Sequence, residues 1–178
     1  MCEICDGKTY EELWAEIDSK IGANGWTLQA VAPSPPEPGW VYTIGLVEGF
    51  GHPELVVTDP DPVAYGSLLD EISEHVRRGE RFGAGGALDL DGYRVEFGPV
   101  HPSYLANGLL ASWESYYRWT GDPPATLDAL QVVLPLTEWC DTCDLERRCL
   151  ARPGALTVGG GANRMARRAA MRRRDRRR

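Results

Sequence analysis

Cys2 and Cys5 in "MCEIC", together with Cys140, Cys143 and Cys149 in "WCDTCDLERRC", are the side chains of this 178-residue chain best suited by type and spacing to chemistry. Two C-x-x-C pairs can each present two thiolates from a tight turn, and two such turns complete a tetrahedral site for one ion. Asp6-Gly7 after the first pair and Asp141-Thr142 inside the second are turn formers. Gly7 can take a positive φ and let backbone N–H groups turn toward sulfur. Four thiolates around a divalent ion leave a net charge of about −2, which Lys8, Arg147 and Arg148 can offset. The expectation is a structural zinc ion held by Cys2, Cys5, Cys140 and Cys143, with Cys149 spare or replacing one of them. The pairs stand about 135 residues apart, so the tertiary fold has to bring them together. Three alternatives stay open. One is a thiol redox pair, favoured by Cys5 lying near a helix start, where the dipole lowers a thiol pKa; the others are an iron–sulfur cluster and unrelated thiols. An odd cysteine count argues against a complete disulfide framework.

Other candidates are weaker. Glu54, in "GHPELVV", places a carboxylate at the start of an apolar strand, and its ordinary reading is a capping or paired carboxylate. His52 and His101 each precede proline in loops, where an exposed or hydrogen-bonded imidazole is usual, and His75 lies at the edge of a helix's polar face. The glycines of "FGAGGALDLDG" (82–92) lie between a helix and a strand. A phosphate loop needs strand–loop–helix order, so a mobile turn is expected there. No nucleophile elbow, H-E-x-x-H helix or kinase-like set occurs.

The elements that must position these residues can be read from periodicity. Thr9 and Glu12 form a capping box, and Tyr10, Leu13, Trp14, Ile17 and Ile21 follow on one helical face that ends near Gly22 or Gly25. "WTLQAVAP" (26–33), "WVYTIGL" (40–46) and "PELVVTD" (53–59) read as three strands, with the prolines of "PSPPEPG" confined to a loop. Asp61-Pro62 opens a second helix through Tyr65, Leu68, Leu69, Ile72 and Val76, closed at Gly79. "YRVEFGPV" (93–100) alternates like a half-buried strand. A third apolar stripe runs from Ala106 to Tyr117 and stops at Gly121, and "LQVVLPL" (130–136) is the last strand. This order, with short links between the first three strands, predicts a single α+β domain with a mainly antiparallel sheet and about three helices over residues 1–152.

Charge divides the chain. Its net charge is −7, yet residues 164–178 carry nine arginines and one aspartate, leaving residues 1–163 at −15. Residues 153–178 read as a glycine-rich linker and a disordered arginine-rich tail. Arg167, Arg168, Arg172, Arg173, Arg174, Arg176, Arg177 and Arg178 are the candidate contacts to nucleic acid phosphates, made by the tail alone because the acidic body opposes broad duplex binding. No run of about 18 apolar residues is present for a membrane span, and the N-terminus lacks the pattern of a signal peptide. A cytoplasmic protein is expected, in a compartment where paired cysteines are more often metal ligands or redox centres than disulfides.

"MCEIC", "GWTLQAV", "GWVYTIGLVEGFGHPELVVT" and the later "ALQVV" resemble, in order and spacing, the bacterial family called domain of unknown function 4262. The resemblance covers roughly residues 1–134 and is strongest over 25–58. It implies an actinobacterial or phage source, in keeping with an arginine bias that leaves only Lys8 and Lys20 as lysines. No activity comes with the family. Where many members continue with an acidic segment after the last strand, this chain has "LTEWCDTCDLERRC". The expected function is a non-enzymatic binding or interaction module with a structural metal and an unidentified protein partner. The rival is a thiol redox protein, or a small enzyme with a cleft at Tyr42, Thr43, His52 and Glu54.

Overall fold

A computed structural model describes residues 7–34, 38–59, 62–134 and 150. The five cysteines and the arginine tail fall outside these residues, as do Asp61 and the prolines at 35 and 36.

Helix α1 (Tyr10–Asn24) starts and stops where its sequence says it should. The Glu12 amide donates to Thr9 Oγ1 and the Thr9 amide donates to Glu12 Oε2, which satisfies orphan donors of the first turn from both sides. Gly25 ends the helix in a left-handed conformation. Strands β1 (Thr27–Val31) and β2 (Gly39–Ile44) pair antiparallel across the proline-bearing loop, and β3 (Glu54–Asp59) pairs antiparallel with β2. Between β2 and β3 lies a five-residue helix, α2 (Leu46–Phe50), bracketed by left-handed Gly45 and Gly51. It is too short to show a helical period, and periodicity places only strand and loop there.

A 3-10 turn at Pro62–Tyr65 leads into α3 (Gly66–Arg77). The expected mobile turn at 82–92 is only partly a turn. Ala87–Leu90 forms β4, joined to β5 (Tyr93–Pro99) through Asp91-Gly92. Asp-Gly is a hairpin signal in its own right, and the glycines preceding it mask the short alternation of β4. The single stripe expected from Ala106 to Tyr117 is two helices, α4 (Pro102–Ala106) and α5 (Ala111–Thr120), because Gly108 adopts φ 84° between them. Strand β6 (Ala129–Val133) ends before the proline of "LQVVLPL".

The strands form one sheet in the order β1-β2-β3-β6-β5-β4. Every neighbouring pair is antiparallel except β3 and β6, which run parallel because α3, the β4–β5 hairpin, α4 and α5 all lie in the crossover between them. The domain is therefore α+β with a mostly antiparallel sheet, as expected.

Alternation along the strands sends side chains to two cores. Tyr42, Ile44, Val56 and Ala129 pack with Trp14 and Ile17 of α1, Tyr104 of α4, and Trp113, Tyr116 and Tyr117 of α5. Val41, Leu55, Val57, Leu130 and Val132 pack with Leu68, Leu69, Ile72 and Val76 of α3. Helices thus cover both faces of the central strands, which explains why "ELVV" and "ALQVV" read as continuous apolar runs. One described residue beyond β6 joins the first core: Leu150 is fully buried there.

Candidate functional site

Glu54 opens β3 and has no exposed surface. Its carboxylate accepts from the Thr43 hydroxyl at 2.6 Å, from the Trp113 indole N–H at 3.1 Å, and from the amides of Gly45 at 3.0 Å and Val47 at 3.3 Å. A weaker contact comes from the Leu46 amide at 3.4 Å. Burial pushes the Glu54 carboxyl up to about 7, against the pull of donors from Thr43, Gly45, Val47 and Trp113. Thr43 is spent on both sides, since its Oγ1 also accepts from the Leu55 amide at 2.8 Å. One carboxylate therefore fastens together β2, the start of α2, β3 and α5.

Gly45 makes this arrangement possible. Its φ of 118° turns the amide toward Glu54, and a Cβ there would stand 2.7 Å from the Gly25 carbonyl oxygen. Gly25, at φ 92°, faces the Phe50 ring in the same way. The glycines of "GWT" and "TIGL" thus hold the end of α1 against the start of α2.

His52 is also buried, at 1 % exposure. Its Nδ1 lies 2.7 Å from the Pro53 carbonyl oxygen, an acceptor, so Nδ1 carries the proton, and Nε2 accepts from the Phe82 amide at 3.2 Å. Both nitrogens of a neutral ring are used, and burial lowers its pKa further. The Tyr42 hydroxyl accepts from the Ser112 amide at 3.1 Å, and burial pushes it up to about 12.

Tyr42, Thr43, His52 and Glu54 are thus buried in a filled core, each with its hydrogen bonds made inside the chain. Tyr117 differs. Its hydroxyl is buried without a hydrogen-bond partner among the described residues; burial first, then the approach of Glu48 short of good hydrogen-bond geometry and the charge of Glu54, drives its ionisation upward. The other two histidines have local roles. His101 caps α4 by accepting from the Ser103 amide, and His75 meets Glu80 at 2.6 Å.

A groove of about 450 Å³ runs between the end of α1, β1 and α3, lined by Lys20, Asn24, Trp26, Leu28, Asp70 and Arg77 among others. Its charges are matched locally: Lys20 pairs with Glu16, Arg77 with Glu74, and the Trp26 indole donates to Asp70 at 3.0 Å. The Arg77 guanidinium lies 5.9 Å from the Trp26 ring centroid.

The expected metal ligands Cys2, Cys5, Cys140 and Cys143, with Cys149, lie outside the described residues, as do the tail arginines 167, 168, 172–174 and 176–178. Among the described residues no group of three or more His, Cys, Asp or Glu side chains is placed to hold a metal. None of the described helices is long and apolar enough to cross a membrane.

Residues 20–138 match the family model for a domain of unknown function, DUF4262. The chain belongs to the DUF4262 family. No curated protein and no solved structure matches it. The DUF4262 match starts after Cys5 and stops two residues before Cys140, so both cysteine pairs lie outside the region that defines the family. The Glu54 cage lies wholly within it. Trp113, which the helical stripe assigns simply to the core, is a working member of that cage. No local signal identifies it, because the donor comes from an element 59 residues along the chain.

Proposed function

We propose that this DUF4262 protein is a binding or interaction module in which the Glu54 cage serves the fold and the cysteines at the two ends hold one structural zinc ion. The observation that carries this reading is the complete burial of Thr43 and Glu54, beside a nearly buried His52, with every polar atom of the three engaged inside the chain. A group that never meets solvent cannot exchange a proton with a bound substrate without local opening. The metal reading rests on the two C-x-x-C pairs and on a closed four-thiolate donor set, which leaves no open coordination position. The arginine tail supplies a second contact, to polyanions such as nucleic acid.

Elemental analysis of untagged protein purified without chelator tests the metal reading, with a Cys140→Ser, Cys143→Ser variant alongside. The expected result is one zinc per chain, lost in the variant together with thermal stability. Metal-free protein with titratable thiols would overturn the zinc site and leave the thiol redox alternative. That alternative also predicts rapid alkylation of the thiols without chelator. One observation favours an enzyme at the "YTIGL" strand, the raised Glu54 carboxyl. A pH-dependent solvent deuterium exchange of the Trp113 indole proton, fast on the turnover timescale, would give that reading the access it needs.

A further inference from the structure

Among the described residues, β1 forms one edge of the sheet and β4 the other. Every second residue of an antiparallel edge strand turns its N–H and C=O away from the sheet, in a row that another extended backbone can complete. The two edges are built differently. β4 has only four residues and carries Asp89, whose side chain is 76 % exposed and paired with Arg94, and a short charged edge discourages added strands. β1 has five residues, "TLQAV", with no charge and no proline, and it pairs with β2 residue for residue without a bulge. Ala30 is exposed there, and its carbonyl accepts a long bond of 3.3 Å from the Gln29 side-chain amide, one that an incoming N–H can replace.

The groove of about 450 Å³ lies at this edge. α1 packs on one face of the sheet and α3 on the other, so a groove lined by both helices and by Thr27 and Leu28 reaches round the outer side of β1. An added strand would send its side chains alternately to the α1 wall, at Lys20, and to the α3 wall, at Asp70. Lys20 and Arg77 have carboxylate partners in Glu16 and Glu74. Asp70 is met by the Trp26 indole, a neutral donor that orients the carboxylate without cancelling its charge. The α3 wall therefore favours a basic side chain. The net charge of −15 on residues 1–163 attracts a basic segment from a distance and opposes a second copy of the domain. We infer that β1 is a docking edge that takes an extended segment of a partner protein as a seventh strand, with a basic side chain of that segment directed at Asp70. The inference rests on the interaction-module reading, to which it gives a surface and a partner chemistry, and it uses neither the zinc ion nor the tail.

The test uses the full chain, isotope-labelled and titrated to millimolar concentration with the blocked peptide Thr-Val-Thr-Arg-Thr-Val-Thr, followed through its backbone amide resonances and the Trp26 indole. Two control peptides carry glutamate in place of the arginine, or N-methyl groups on the three central residues, which block main-chain pairing. The expected result is saturable shifts at Leu28–Val31 and the Trp26 indole with the arginine peptide. Binding should be at least about fivefold weaker with the glutamate peptide and absent with the N-methylated one. Asp70→Asn keeps an acceptor for the indole on an exposed helix position. It should weaken the arginine peptide by up to about fivefold, the span of an exposed ion pair, and should not weaken the glutamate peptide. No saturable shift at β1 with the arginine peptide overturns the docking edge, and equal binding of the N-methylated peptide overturns strand addition. Saturable shifts on another face overturn the edge while the interaction-module reading stands. If β1 resonances of the free chain move on dilution, or on deletion of residues 160–178, a second copy or the tail already occupies the edge and the partner segment is overturned.

Discussion

Glu54 is a carboxylate held by donors on every side and yet deprived of water. Its folded pKa of about 7 lies above the ordinary carboxylate value of 4.5, so between those limits the folded chain holds the proton more firmly than the unfolded chain. Stability from this group is fully present below about pH 4.5 and is lost as pH rises through about 7. Glu54→Gln removes the titration. Urea unfolding at pH 5 and pH 8 is expected to show wild-type stability falling, relative to Glu54→Gln, by on the order of 3 kcal/mol between the two. A parallel pH profile for the two proteins would place the titration elsewhere. At any pH, Glu54→Leu strands the Thr43 hydroxyl, the Trp113 indole and the Gly45 amide without an acceptor. It should destabilise the domain by about 3–5 kcal/mol, read as a shift of the urea midpoint.

Among the elements, α2 shows how five residues can be fixed without propensity. Gly45, at its N-cap, has no side chain to cap it, and the Glu54 carboxylate takes the first amides of the helix instead, with Gly45 packed close to the Gly25 carbonyl. Gly45→Ala must place a side chain at φ 118° and 2.7 Å from that oxygen, and a loss of at least about 1–3 kcal/mol is expected in thermal melts. Gly22 is the opposite case. It lies inside α1 with nothing within 4 Å of an added Cβ, so Gly22→Ala should raise stability by up to about 1 kcal/mol. If the two substitutions moved the melting temperature equally, the strain assigned to Gly45 would be wrong. Short or interrupted elements were also where periodicity failed: α2 and β4 span too few residues to show a period, and Gly108 splits a stripe whose apolar spacing continues across the break.

For the whole molecule, the division of charge sets the expectation. A tail of nine arginines on a body of net charge −15 makes any polyanion contact a property of the tail. Fluorescence polarisation with a short labelled DNA should show binding that weakens by at least about tenfold between 50 and 200 mM salt, and a chain lacking residues 160–178 should show none. Binding that survives the deletion would move the contact onto the domain. The same deletion should leave the melting temperature of the domain unchanged, since both cores are built from described residues that precede position 160.

The sequence alone determined what depends on neighbours along the chain. The capping box of α1, the left-handed stop at Gly25, the cap that His101 places on α4 and the strand alternation all follow from spacings of a few residues. It also carried the family resemblance and the reading of Glu54 as a capping or paired carboxylate. Tertiary structure alone decided which distant groups meet. Trp113 reaches Glu54 across 59 residues, Leu150 reaches back to His101 and Gln131, and β3 lies parallel to β6 rather than antiparallel. Local periodicity records which face of an element is apolar but not which partner covers it, because packing energy depends on surface complementarity between segments that the chain brings together only on folding.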